Sequence, residues 1–378
     1  MDDRLAATLT GWRRHLHAHP ELSNQEAATA AFVAERLAEL GIPFEGGIAG
    51  HGIVATISRG QSNRSVGLRA DMDALPITET TGLAHASTNP GVMHACGHDG
   101  HTTSLLGAAV LLAQDASWTG TVHLVFQPAE EGGGGAKNMI AEGLFQRFPM
   151  ERIFGYHNWP GLDAGTVAVH DGPVMAAGGR LEFRVKGRSG HAAIPHHARD
   201  PMVAAAHLLI ALQSVVSRET SPLDAAVISI CTMEAGRAAN QIPDEAVMRG
   251  TMRSLRPEVR TAMDDSMRRV AAGVAQTFGV EIDVAIRHGN VVTMNHKVEA
   301  ELAAEAASGA GLAVRRDLPP AMTGEDFSWY LTEKPGAFVW IGNGSSAELH
   351  NSGYDYNDAV LPAAASYLAG VARRALEG

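Results

Sequence analysis

A chain of 378 residues, 45% of them hydrophobic and 19% charged, has the composition of a folded protein and exceeds the length that one core usually supports, so more than one domain is expected. Asp+Glu 41 against Lys+Arg 30 leaves a formal net charge of -11, which argues against nucleic acid and against an anionic membrane surface as partners. Only 2 Cys are present, too few for a disulfide framework, beside 18 His, the commonest type of metal ligand.

The opening MDDRLAATLTGWRRHLHAHP places no apolar segment behind a basic start, so no secretory signal is expected. With no run of about 18 apolar residues a transmembrane helix is not expected either, and a cytoplasmic protein is the resulting expectation. Ser23-Asn24-Gln25-Glu26 reads as a capping box opening an Ala-rich helix that runs to about Leu40 and is stopped by Gly41. GIVATI at 52–57 and SVGLRA at 65–70 read as strands, HTTSLLGAAVLLAQD at 101–115 as a helix, and TVHLVFQP at 121–128 and RIFGYH at 152–157 as further strands. Strands alternating with helices predict a layered α/β unit with a mostly parallel sheet.

After His170 the pattern changes. LEFRVKG at 181–187 alternates apolar and polar residues, a helix near 200–218 follows, then AAVISICTM and AVMRGTMRSL as strands, a helix over Pro257–Phe278, and VEIDVAIR at 280–287. This β-α-β-β-α-β order is that of a ferredoxin-like module. The α/β texture returns from about residue 297, with AFVWIG at 337–342 and a last helix from about Asp358. The expected architecture is an α/β domain over 1–178 and 290–378 with an α+β domain, 179–289, inserted into it.

Four motifs carry donors. His94-Ala95-Cys96-Gly97-His98 offers a thiolate and an imidazole two residues apart, a pairing that suits zinc or another borderline-soft ion. Gln127-Pro128-Ala129-Glu130-Glu131 puts adjacent carboxylates at the end of an apolar strand, where open α/β sheets bind ligands; one can hold a metal while the other acts as a base. Tyr156-His157-Asn158-Trp159 ends another apolar strand, and Glu348-Leu349-His350-Asn351 lies in a late loop. Taken singly, each has an ordinary reading as a solvated turn or a packed histidine. As a set they fall where one sheet would present them on one rim.

RRHLHAHPELSNQE, LRADMDALPI, HACGHDGHTTSLLGAA, FQPAEEGGGGAKNMI, YHNWPG, KGRSGHAAIPH, ANQIPD, TGEDFSWY and LHNSGYDYND occur in that order over nearly the whole chain. Through these motifs the sequence resembles the M20 family of metal-dependent amidohydrolases, in the branch of hippurate hydrolases, N-acyl-amino-acid amidohydrolases and indole-acetyl-amino-acid hydrolases. The resemblance implies a zinc-exopeptidase-like catalytic domain, two divalent ions per subunit (zinc first, with manganese, cobalt or nickel open), and a homodimer through the inserted domain, extendable to a tetramer. It implies Cys96 as the ligand between the metals, His98, Glu131, His157 and His350 as the other ligands, Glu130 as general base and Asp73 as a residue orienting a ligand. Asp71 falls where other branches have a metal-binding His, and His98 takes that place here. In the inserted domain His191 resembles the histidine that stabilises the oxyanion from the partner subunit. Asn240 and Arg253 resemble substrate-binding residues, and Gly324, Glu325 and Asp326 a pocket loop.

The implied reaction is hydrolysis of an N-acyl amino acid to a carboxylic acid and a free amino acid. A dipeptidase or aminopeptidase is the near alternative, and a non-catalytic metal-binding relative the distant one; a substrate panel separates the first pair, and a retained base argues against the last. His15, His17 and His19 are expected to end or pack the first helix, His94 and His101 to orient ligands, and Cys231 to be a buried strand residue. His196 and His197 carry no role. The glycines at 132–135 lack the Gly-Lys-Ser/Thr of a phosphate loop.

Overall fold

The apolar runs become the interior of a sheet. A computed structural model describes residues 2–377, and its contacts divide the chain into two compact units. The first takes the residues up to Val174, Met294–Pro319 and those from Asp326 on; the second takes Met175–Thr293 with Pro320–Glu325. In the first unit eight strands lie in the order Phe44–Ile48, Gly52–Arg59, Gly120–Gln127, Ser65–Asp71, Arg152–Pro160, Gly336–Gly344, Thr166–Ala168 and Ala313–Arg315. The middle four run parallel, with Val66, Leu68, Leu124, Phe126, Phe154 and Val339 fully buried. Strands so covered need no alternation of apolar and polar residues, which is why their sequences are continuous apolar runs. The helices His98–Gln114, Lys297–Gly309 and Leu361–Glu377 pack on this sheet and on one another.

Parallel strands end on one edge. Ser65–Asp71 delivers Asp71 and then Asp73, Gly120–Gln127 is followed by Glu130 and Glu131, and Arg152–Pro160 carries His157 near its end. The helix bearing His98 begins at that residue, not at His101 as expected, because left-handed Gly97 (φ 89°) precedes it. A Cβ at Gly97 would stand 2.4 Å from Asn158 Oδ1 and 2.7 Å from the Tyr354 hydroxyl, so only glycine lets Cys96 and His98 approach this closely packed corner.

The second unit has the predicted element order. Strands Ala226–Ala235, Glu245–Ser254, Ala177–Lys186 and Glu281–His288 lie side by side in that order, every pair antiparallel. Helices Pro201–Ser214 and Pro257–Phe278 cover one face over Phe183, Val185, Met248, Leu208 and Met267. The other face is open.

Three expectations need correction. Cys231 is exposed, not buried: a bulge between Ile230 and Thr232 turns it out of the ladder at a sheet edge. The capping box does not form. The helix starts at Ala27, its first amides (Ala28 and Thr29 N–H) donate to the Glu21 carboxylate, and the Ser23 hydroxyl donates to Asp73 instead. One segment, Pro201–Glu219, does meet the length and apolarity of a membrane span, but its apolarity packs the second unit, burying Ala204, Ala205, Leu208 and Leu212.

Candidate metal centre

Asp73 organises the first unit's site. Its carboxylate, fully buried, accepts from the Ser23 hydroxyl (2.6 Å), His98 Nδ1 (3.2 Å), Glu130 N–H (3.1 Å) and Glu131 N–H (3.0 Å). Burial would raise its pKa, but the bonds from His98, Ser23 and Glu131 outweigh it and keep the group ionised. By accepting from Nδ1 of His98, Asp73 leaves Nε2 as the nitrogen from which a metal would displace a proton; that buried nitrogen has no hydrogen-bond partner among the described residues and lies 3.7 Å from Asp71 Oδ2.

Around it the expected donors meet. One donor atom from each of Cys96, His98 and His157 lies within 4.8 Å of the others, and the same holds for Cys96, Glu131 and His350 and for His98, Glu130 and Glu131. Cys96 belongs to both of the first two groups, and its Sγ lies 3.4 Å from His157 Nε2. His157 Nδ1 donates to the Asn158 carbonyl at 2.7 Å, which likewise turns Nε2 inward as the lone pair. His350 Nε2 lies 3.1 Å from Glu131 Oε1. Burial, followed by the charges of Glu131 and Glu130, pushes the Cys96 thiol well up, and burial with His101 pushes His157 well down. A thiolate in this place needs a cation beside it. Two inward imidazole nitrogens, a thiol common to two groups and a carboxylate fit divalent ions of borderline softness.

The backbone around these groups is unusual. Ala129 (φ 56°) and His350 (φ 61°) are non-glycine residues in the left-handed region. Such a conformation costs about 1–3 kcal/mol and persists only where the surrounding structure imposes it. Both flank or form the site: Ala129 N–H donates to Glu26, and His350 N–H to the Ala95 carbonyl at 2.8 Å, which anchors the late loop beside Cys96.

Glu130 is held from a second direction. Asp326 N–H donates to Glu130 Oε1 at 3.2 Å, and the Asp326 carboxylate accepts from Arg69, the Gln127 amide and Ala136 N–H. Arg69, 1% exposed, also bonds Asp71 at 2.6 Å and Gln127 at 2.8 Å. Asp71 is thereby committed to Arg69 and to His101 Nδ1 (2.6 Å), which accounts for its standing where a metal-binding His is expected. Asp326, expected in a pocket loop, thus ties the Glu130 side chain to Arg69 and Gln127. Sequence reading passed over Arg69, Gln127 and Asn158; the clue to Arg69 was a cation inside an otherwise apolar strand, which burial obliges to have partners. His101 bonds Asn158 Oδ1 at 2.6 Å and stands edge-on to the His157 ring at 4.7 Å, while His94 is buried with no hydrogen-bond partner among the described residues. His17 is also buried, its Nδ1 2.8 Å from Asp99, the residue after His98.

The other expected residues lie in the second unit. His191 and Asn240 adjoin one another, since Gly190–His191 pairs with Gln241–Ile242 and Ala192 N–H donates to the Asn240 carbonyl. His191 is exposed, and its Nδ1 accepts from Ala193 N–H at 3.1 Å, so the neutral ring carries its proton on Nε2 as an outward donor. Arg253 is half-buried on the open sheet face, and Gly324 and Glu325 end the short segment Pro320–Glu325.

A model of the family described as peptidase family M20/M25/M40 matches residues 67–374. The chain is 41% identical over 367 residues to a hippurate hydrolase of Campylobacter jejuni, covering 97% of this chain and 96% of that one. It is 40% identical over 383 residues to an N-acetylcysteine deacetylase of Bacillus subtilis, covering 100% and 99%. The solved structure of the Bacillus subtilis YXEP protein, described as a dinuclear metal-binding peptidase, is similar with a TM-score of 0.90 at 36% identity, covering 100% of this chain and 99% of that one.

Proposed function

The chain belongs to peptidase family M20/M25/M40, and from that premise we propose that it is a metal-dependent amidohydrolase of N-acyl amino acids, releasing a carboxylic acid and a free amino acid. The observation that carries the reading is the double fixation of Glu130, through its backbone by Asp73 and through its carboxylate by the Asp326 amide, beside donors gathered within 4.8 Å. A protein that only stored metal would have no use for a carboxylate so placed.

His98 and His157 with Cys96 would hold one divalent ion, and Glu131 and His350 with the same Cys96 the other, zinc being favoured by the thiolate and imidazoles. Two such ions polarise an amide carbonyl and bring water's pKa toward neutrality. Glu130 then takes the proton of the attacking water and passes it to the leaving nitrogen. Glu131 is a poor substitute, because a carboxylate that coordinates a cation would be a weaker base. His191 Nε2–H is a donor suited to the oxyanion, and Arg253 to the carboxylate of the amino-acid half, with Asn240, Gly324 and Glu325 shaping its surroundings. A subunit pair joined through the inserted unit and a cytoplasmic site of action complete the proposal; the free thiols of Cys96 and Cys231 support the latter.

Glu130→Ala should keep its metal, measured by elemental analysis, and lose turnover by a factor of about 10²–10⁴, the usual share of general acid–base catalysis. A panel of hippurate, N-acetyl amino acids and free dipeptides should show turnover on the acylated compounds. Turnover on dipeptides alone, or undiminished activity in Glu130→Ala, would refute the reading.

A further inference from the structure

The open face of the second unit's sheet sorts its charges unevenly. Toward one end every cation has a carboxylate: Arg249 bonds Glu182 and Glu234, Arg184 pairs with Glu245 and Glu182, and Lys186 Nζ lies 2.7 Å from Asp283. Toward the other end no ion pair joins Arg180, Arg253 or Arg287 to a carboxylate among the described residues, Arg253 bonding the Met252 carbonyl instead, although the chain as a whole has acidic residues in excess. The register sets Arg180 directly opposite Arg287 on one side and Thr251 on the other, with Arg253 one same-face position along, opposite Gly178. Opposed like charges weaken an antiparallel pair where opposed unlike charges strengthen it. Folding alone gives no reason for this arrangement.

The place is also hollow. A cavity of about 440 Å³ lies on this face, a size within the range of small-molecule sites; Arg180, Arg287 and Thr251 line it, and so do Glu182 and Glu234, whose carboxylates are both taken up by Arg249. Gly178 gives the Arg253 guanidinium room, since a Cβ there would stand 3.0 Å from its terminal nitrogen.

The geometry points to a binding site for a small dicarboxylate anion on Arg180 and Arg287. Each guanidinium presents planar paired N–H donors that match a carboxylate, and Thr251 adds a neutral donor beside them. The anion has two possible sources. It is either the side-chain carboxylate of an acidic N-acyl amino acid, which rests on the amidohydrolase reading, or a free organic acid that modulates the enzyme.

Isothermal titration calorimetry of the metal-loaded enzyme with glutarate at low ionic strength tests the site without requiring turnover, so its result stands even if the amidohydrolase reading fails. An Arg180→Gln/Arg287→Gln variant should bind at least tenfold more weakly, while Arg184→Gln, whose arginine is already paired, should bind as wild type. Glutarate captured at the metal centre is common to all three proteins and cancels in the comparison. Single Arg287→Gln should raise the thermal midpoint in glutarate-free buffer, because it removes one of two opposed cations. Equal glutarate binding by wild type and double variant, or a lowered midpoint in Arg287→Gln, would overturn the proposal. A rise in KM for N-acetyl-L-glutamate but not for N-acetyl-L-leucine in the double variant assigns the anion to the substrate. A glutarate effect on N-acetyl-L-leucine hydrolysis that the double variant loses assigns it to an effector.

Discussion

Asp73 takes in four hydrogen bonds and so couples three things that must agree: the tautomer of His98 and the backbone directions of Glu130 and Glu131. Replacing it by asparagine keeps the shape but turns one acceptor into an NH₂ group that faces N–H donors. The His98 ring loses its fixed tautomer, and the strained Ala129 backbone just ahead of Glu130 loses a restraint. Asp73→Asn should weaken metal binding by about 10–100-fold, the usual effect of removing a partner that orients a ligand; competition with a chromophoric chelator measures it, and unchanged affinity would refute the role. Cys96, His98, Glu130, Glu131, His157 and His350 stood out in the sequence as chemically scarce donor types near strand ends and in a late loop, and the fold gathers them within 4.8 Å in overlapping groups. What holds them was not legible. Asp326 is 196 positions from Glu130, and its hold comes from a backbone amide that any residue could have supplied.

Elements were legible where their burial follows one period. In the α+β unit burial alternates along Ala177–Lys186 and most of Glu281–His288 and the element order is as expected, whereas the helix after Ser23 was placed by a local capping rule that tertiary contacts override. Strand Gly120–Gln127 shows a further effect that no periodicity reveals. It carries His123, 5% exposed, with Nε2 donating to the Pro149 carbonyl (3.1 Å) and Nδ1 accepting from Thr56 across the strand pair (3.0 Å). The ring is neutral in this pairing, and burial, which penalises the charged form, lowers its pKa to about 4. An unfolded histidine titrates near 6.5, so between about pH 6.5 and 4 the unfolded chain binds the extra proton. Stability present above pH 6.5 is therefore lost as the pH falls through that window, by about 1 kcal/mol from this residue between pH 7.5 and 5.5. His123→Gln retains a donor for Pro149 and removes the titration. Urea unfolding at a series of pH values should show a flatter decline for the variant; an equal or steeper decline would contradict the assignment.

At the scale of the whole molecule the second unit has unfinished edges of its own. Strand Ala226–Ala235 is the outermost of its sheet, with a row of backbone groups unpaired on one side and Val227 and Met233 exposed on it. Helix Pro201–Ser214 exposes Met202, Val203 and Ile210, the last 68% exposed. An isolated monomer gains nothing from these features, and a two-fold pairing of such units would cover them. His191, exposed with its Nε2 proton facing outward, is then available to a neighbouring subunit's site. That arrangement makes a quantitative prediction. Glu130→Ala and His191→Ala should each be nearly inactive alone, the second retaining its metal. Mixed at equal concentrations and allowed to exchange, half the dimers are hybrids, and each hybrid has one site with both an intact Glu130 and an intact His191 from opposite subunits. Activity should return to about a quarter of wild type. If His191 instead serves its own subunit, every hybrid site carries one lesion or the other and nothing returns. Hybrid formation shown by mass spectrometry without recovered turnover would therefore exclude a site completed by the partner, while leaving the assignment of Glu130 untouched.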